Sequence, residues 1–179
     1  MTFGQYLGMI ASLVGFALAA APAGAQTAAS PPPQAESPAS PDLLVFSAGA
    51  YNIDRNQRDS AELGLQYRNG GALWGIFHWH VGVLGTTLGS KYAYVGPLAD
   101  FNLGHGLFLT LSTAGGAYQR GGDYNLGSSA LMFRSGGEIA YQFDTLSRLG
   151  LDFYHISDGG MSSRNPGEET LALAYGLAF

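Results

Sequence analysis

From Leu43 to the C-terminus one pattern repeats: about ten residues alternate in polarity, then a break rich in Gly, Asn or Asp follows. In SAELGLQYR, residues 60–68, Ala61, Leu63, Leu65 and Tyr67 are apolar while Ser60, Glu62, Gln66 and Arg68 are polar. A period of two puts these sets on opposite faces of a strand. The split recurs where Leu107, Leu109 and Leu111 oppose Thr110 and Ser112. It recurs again where Leu131, Phe133, Ile139, Tyr141 and Phe143 oppose Arg134, Glu138 and Gln142. No apolar stripe of helical period is sustained.

Strands with one apolar face could pack as a soluble sandwich or close as a membrane barrel, and the rest of the chain favours the barrel. Residues 1–25 are apolar and small and end in Ala23-Gly24-Ala25, the small-x-small pattern of a secretory cleavage site. The mature chain is expected to start at Gln26. No Lys or Arg precedes the apolar run, so an uncleaved anchor helix stays open as the alternative. Residues 26–42, mostly Pro, Ala and Ser, cannot bury enough apolar surface to order themselves and read as a flexible lead-in. An exported chain of 179 residues without cysteine needs something other than disulfides to hold it, and a closed hydrogen-bonded barrel supplies it. The net charge of −5 and the lack of a basic patch exclude nucleic acid as a partner.

The expected fold is therefore all-β, an eight-stranded antiparallel transmembrane β-barrel over residues 43–179 in the bacterial outer membrane. Strands are predicted at 43–53, 60–68, 72–83, 90–102, 107–119, 129–142, 148–157 and 168–179, with Pro97 interrupting the fourth. With the N-terminus in the periplasm, the connections near 54–59, 84–89, 120–128 and 158–167 face outward, and NGG, NLGHG and FDTLS face the periplasm. The alternation that ends at Phe179 resembles the C-terminal signal read by the barrel-assembly machinery. A monomer and a homodimer both fit.

Strand parity turns one polar stretch, HISDGGMSSRNPGEET at 155–170, into a claim about geometry. Along RLGLDFYHIS, Leu149, Leu151, Phe153, His155 and Ser157 share the apolar, lipid-facing side, while Asp152 and Tyr154 point to the lumen. The apolar set of the last strand is also odd-numbered, so Glu169 joins that face and Glu168 does not. If His155 pairs with Glu169, their β-carbons lie about 5 Å apart, and Ser157 lies about 6.5 Å along the strand. A serine, a histidine and a carboxylate on one surface are what nucleophilic acyl transfer needs. A carboxylate facing lipid costs about 0–1 kcal/mol near the interface and more deeper, so its placement calls for a partner. The plain alternative is a polar outer loop with no chemistry.

These residues carry a resemblance. His155-x-Ser157 with glycines at 159 and 160, then Asn165-x-Gly167 and Glu169, is similar to the signature of the outer-membrane lipid A 3-O-deacylases of PagL type. GGDYNLGSSALMF, residues 121–133, resembles the stretch before that family's sixth strand. The resemblance implies a cofactor-free esterase that removes the 3-hydroxyacyl chain at position 3 of lipid A, with Ser157 as nucleophile, His155 as base and Glu169 as its orienting acid. The family commonly has Asn after the serine, where this chain has Asp158. Gly159, Gly160 and Asn165 are then the candidates for an oxyanion hole.

Arg55, Arg58, Arg120 and Arg164 fall in predicted outer loops, where they could meet lipid A phosphates or simply be solvated. His78 and His80 are placed on the lumen side with Trp74 and Ile76; no third ligand accompanies them, and no metal site is assigned. Arg134 and Glu138 are expected in a lumenal polar network. The function favoured is lipid A 3-O-deacylation. The alternatives are a non-enzymatic barrel for adhesion or envelope integrity, or an esterase acting on another membrane lipid.

Overall fold

The computed structural model describes residues 40–53, 60–73, 76–123, 126, 129–163 and 167–179. The export signal and most of the lead-in lie outside the described residues, as do Arg55, Arg58, Trp74, Arg164 and Asn165. Eight strands form one closed antiparallel barrel: β1 (Leu43–Tyr51), β2 (Ser60–Arg68), β3 (Phe77–Thr86), β4 (Lys91–Gly104), β5 (Leu107–Gln119), β6 (Leu131–Gln142), β7 (Arg148–Ser157) and β8 (Glu168–Ala178). Each strand pairs with its sequence neighbour, and β1 pairs with β8 from Leu43↔Ala178 to Tyr51↔Thr170 to close the ring. A bilayer offers backbone groups no water, so a sheet can cross it only when every edge is paired.

Seven of the predicted strands lie within two residues of those observed; β3 is displaced, and β4 is continuous where an interruption is predicted. β3 begins at Phe77 rather than 72 and runs on to Thr86. A bridge between Leu73 and Phe77 folds the chain back before the strand starts, with Leu73 N donating to Phe77 O at 2.6 Å. Ile76 therefore lies exposed in a turn instead of in the lumen. β4 runs through Pro97 without a break. Trp79↔Pro97 pairs normally with β3, whereas on the β5 side the ladder skips from Val95↔Gly115 to Leu98↔Ser112. The proline thus sits where the missing N–H falls in a gap of the ladder.

Outward positions carry Leu63, Leu65, Val83, Val95, Ile139, Leu151 and Leu173, all exposed as a lipid-facing belt requires. Tyr67 packs against Trp79 at 5.1 Å and Phe179 at 6.3 Å at the end of the barrel where the N-terminal lead-in joins. Tyr67 also donates to Asp42 Oδ2 at 2.5 Å, and Gly70 N donates to Oδ1 at 2.7 Å, so one aspartate ties the start of β1 to the β2–β3 turn.

The lumen is filled, not hollow. Arg68 binds Glu138 through both terminal guanidinium nitrogens, at 3.1 and 2.6 Å. Arg134 binds Asp152 at 2.8 Å and lies 3.8 Å from the Tyr154 ring centre, whose hydroxyl donates to Glu62. Arg148 binds Asp100 at 2.6 Å, and Thr110 donates to the same carboxylate. Arg134 and Glu138 thus join the lumenal network as expected, each with a different partner. Gly82 leaves the space that the Tyr94 ring fills, since a methyl group there would come within 2.5 Å of it. His78 and His80 each meet a backbone carbonyl, Asn69 O at 3.0 Å and Thr113 O at 3.2 Å.

Removing one member of a buried ion pair strands the other charge, which costs about 3–5 kcal/mol. Glu138→Ala is expected to lower the unfolding free energy of the barrel by that amount, measured by urea titration in lipid vesicles. A barrel as stable as the parent would mean that Arg68 is held by water or by Gln66 alone.

Candidate functional site

The predicted pairing is present. β7 and β8 run antiparallel with His155 directly opposite Glu169 and Ile156 opposite Glu168. Parity sends Ile156, Glu168 and Thr170 inward, fully buried, and leaves the His155 and Glu169 side chains 40% and 22% exposed on the outer surface. Glu169 is fixed from both sides: its carbonyl accepts from Asn52 N at 3.0 Å and Ile53 N at 3.1 Å at the end of β1.

His155 Nδ1 lies 2.9 Å from Glu169 Oε1. A carboxylate can only accept, so this bond puts the proton on Nδ1 and leaves the Nε2 lone pair free to take another. Ser157 is half-buried two residues further out on the same face, opposite Phe133 of β6. It is the one member of the three that the structure does not bring into hydrogen-bond contact. Among the described residues its hydroxyl makes no hydrogen bond to His155. Catalytic contacts of this kind commonly tighten only when substrate is bound.

Two features were not assigned from the sequence. Gly167 adopts a φ of +72°, and a methyl group there would stand 2.2 Å from Cε1 and 2.9 Å from Nε2 of His155. The bare backbone of residue 167 is therefore the surface against which the imidazole rests. Ser135 of β6 flanks His155 on the side away from Glu169. Only the register places these two beside the histidine, and register is not written in a local motif.

The oxyanion candidates separate. Gly160 N donates to Asp158 Oδ1 at 2.9 Å, so its N–H is already occupied. Gly159 has a φ of +65° and lies over Phe133, while Asn165 lies outside the described residues. Asp158 itself is buried and organises the turn after the serine. Ser162 N and Oγ both donate to its Oδ2, and Met161 N donates to its carbonyl at 3.3 Å. This is the use of Asp in turns, a short acceptor that bonds the backbone just ahead of it. Those donors, the Ser162 hydroxyl first, hold its carboxyl below the usual aspartate range. Of the four arginines proposed for phosphate contacts, Arg120 is exposed at the outer end of β5, and the other three lie outside the described residues.

Two outcomes are expected. Gly167→Ala should displace the imidazole and break the His155–Glu169 bond, seen as loss of the downfield Nδ1 proton resonance, while the barrel still folds. A resonance unchanged from the parent would refute the packing role. Because the Asp158 carboxyl is depressed in the folded protein, the order it confers is complete above the ordinary aspartate pKa and is lost as pH falls through the lower folded value. Protection of the 160–162 amides relative to their intrinsic exchange rates should therefore fall only in strong acid, and Asp158→Ala should show low protection at every pH.

The family model described as lipid A 3-O-deacylase (PagL) matches residues 51–178. Among solved structures, the crystal structure of the outer membrane enzyme PagL aligns with a TM-score of 0.60 and 22% identity, covering 77% of this chain and 99% of that one. A de novo designed transmembrane β-barrel aligns with a TM-score of 0.54 and 10% identity over 77% of this chain and 96% of that one. At such identities these alignments speak for the barrel alone. No curated protein sequence matches the chain. The family match spans β2 to β8, and the chain belongs to the PagL family of outer-membrane lipid A 3-O-deacylases.

Proposed function

We propose that the chain cleaves the ester joining a 3-hydroxyacyl chain to position 3 of lipid A, using Ser157 as nucleophile, His155 as general base and Glu169 as the group that orients it. The observation that carries this is the 2.9 Å His155–Glu169 hydrogen bond on the lipid-facing side of the barrel. His155 Nε2 takes the Ser157 proton as Oγ attacks the ester carbonyl carbon. The tetrahedral intermediate collapses when His155 returns that proton to the departing sugar oxygen, leaving the acyl group on Ser157. Water, deprotonated by the same imidazole, then releases the fatty acid. Through both steps Glu169 stabilises the imidazolium, an attraction strengthened by the low dielectric of the surrounding acyl chains.

With the Gly160 N–H taken by Asp158, the oxyanion is assigned to Gly159 N–H and the Asn165 amide. The lipid A phosphates are assigned to outer-loop arginines, with Arg164 on the connection that follows β7 and Arg55 and Arg58 on the β1–β2 connection. Insertion by the barrel-assembly machinery is supported by the outward alternation of β8 up to Phe179. A monomer and a homodimer are both compatible with the activity.

The test is mass spectrometry of lipid A from cells that express the protein. Wild type should show loss of one 3-hydroxyacyl mass, and Ser157→Ala none. Glu169→Ala should retain activity lowered by about 10²–10⁴-fold, the range general-base catalysis contributes. Ser135→Ala, the other serine beside His155, should stay within a few-fold of wild type. Deacylation that persists in Ser157→Ala but stops in Ser135→Ala would move the nucleophile to β6. Release of fatty acid from phospholipid micelles, with lipopolysaccharide untouched, would overturn the substrate.

A further inference from the structure

On the outer surface of β2 to β5, away from the His155–Glu169 pair, the lipid-facing belt has a hollow of about 690 Å³. Register explains it. Leu63 lies opposite Gly85 and Gly85 opposite Lys91; one row closer to the membrane centre, Leu65, Val83, Ala93 and Ala117 stand side by side. Gly85, Ala93 and Ala117 give this patch a shallow floor where other strands present Leu, Phe or Tyr, and Leu63, Leu65 and Val83 make one wall. A side chain added at Gly85 would meet nothing closer than Ser90 O at 3.8 Å, so the space is open to the bilayer.

The next row outward carries Lys91, the only lysine in the chain, with Gln119 directly opposite and Arg120 one residue further. Both cations are exposed, and among the described residues neither takes part in an ion pair. Their backbones are fixed. Ser90 Oγ accepts from Tyr118 OH at 3.1 Å and from Gly121 N at 2.9 Å, which clamps the residue before Lys91 to those flanking Arg120. Asp123 accepts from Thr86 Oγ1 and Ser90 N and is engaged within this clamp. A cation at the outer interface above an apolar hollow matches a lipid whose phosphate sits over its acyl chain.

We propose that this hollow is a second, non-hydrolytic lipid site that holds one acyl chain of a phosphorylated glycolipid of the outer leaflet, with its phosphate on Lys91. The hollow spans β2 to β5, and β1 on one side and β6 on the other separate it from β7 and β8, which carry His155 and Glu169. Its occupancy requires no chemistry at Ser157.

The experiment counts lipids retained by purified Ser157→Ala protein in native mass spectra, with lipid A, dephosphorylated lipid A and phosphatidylcholine as probes. Adding Lys91→Gln should weaken one bound lipid A by about five- to tenfold, as expected for one interfacial cation. Adding Ala93→Leu, which fills the floor, should remove that lipid. Dephosphorylated lipid A should bind the parent as weakly as lipid A binds the Lys91→Gln protein. In an otherwise wild-type chain, Lys91→Gln should leave turnover of micellar lipid A unchanged. The comparison is made without turnover, so a failed assignment of Ser157 leaves it intact. The proposal is overturned if neither change alters the lipid count, if phosphatidylcholine is retained equally well, or if Ala93→Leu abolishes a dimer while the lipid count stays constant.

Discussion

Everything in this protein depends on the closure of β1 on β8. Within a bilayer an unpaired strand edge would leave a row of N–H and C=O groups in hydrocarbon, each costing several kcal/mol. The Leu43↔Ala178 to Tyr51↔Thr170 ladder removes that edge. It also does local work, because the end of β1 supplies the Asn52 and Ile53 amides that hold the Glu169 carbonyl. The strand that seals the barrel is therefore the one that sets the acid of the proposed triad against His155.

Alternation then divides the chemistry between two environments. Inward positions bury charge with charge, Arg68 with Glu138 and Arg134 with Asp152, and produce a rigid cylinder. Outward positions are almost wholly apolar, so a histidine and a carboxylate there stand out. The outward pair is held by backbone geometry: the β7–β8 register, the Asn52 turn and the bare Gly167 beneath the ring. The turn after Ser157 has its own brace in Asp158, whose carboxylate accepts from Gly160 N and Ser162 N.

Much of this was legible in the sequence, because a period of two assigns each residue to a face without any knowledge of its neighbours. The sides taken by His155, Ser157, Glu168 and Glu169 followed from parity alone, and so did the lumenal places of His78, His80, Arg134 and Glu138. What parity cannot give is position along the strand. β3 was placed several residues early because the Leu73–Phe77 bridge has no alternation to betray it. Pro97 looked like a break because the gap in the β4–β5 ladder that accommodates it belongs to two strands at once. Gly167 enters the sequence motif only by its spacing, and its contact with the imidazole exists only in the fold, as does the return of Ser162 onto Asp158.

The filled lumen has a kinetic consequence. With Arg134, Tyr154, Glu62 and their neighbours packed across the interior, no acyl chain can be threaded down the axis to be measured from within. A lipid can reach the outer wall only by sliding sideways in its own leaflet, and the shortened lipid leaves the same way. Encounter is then a collision in two dimensions, governed by the mole fraction of substrate in the surface. Diluting the whole membrane in water would leave the rate unchanged, whereas diluting the substrate with inert lipid would slow it.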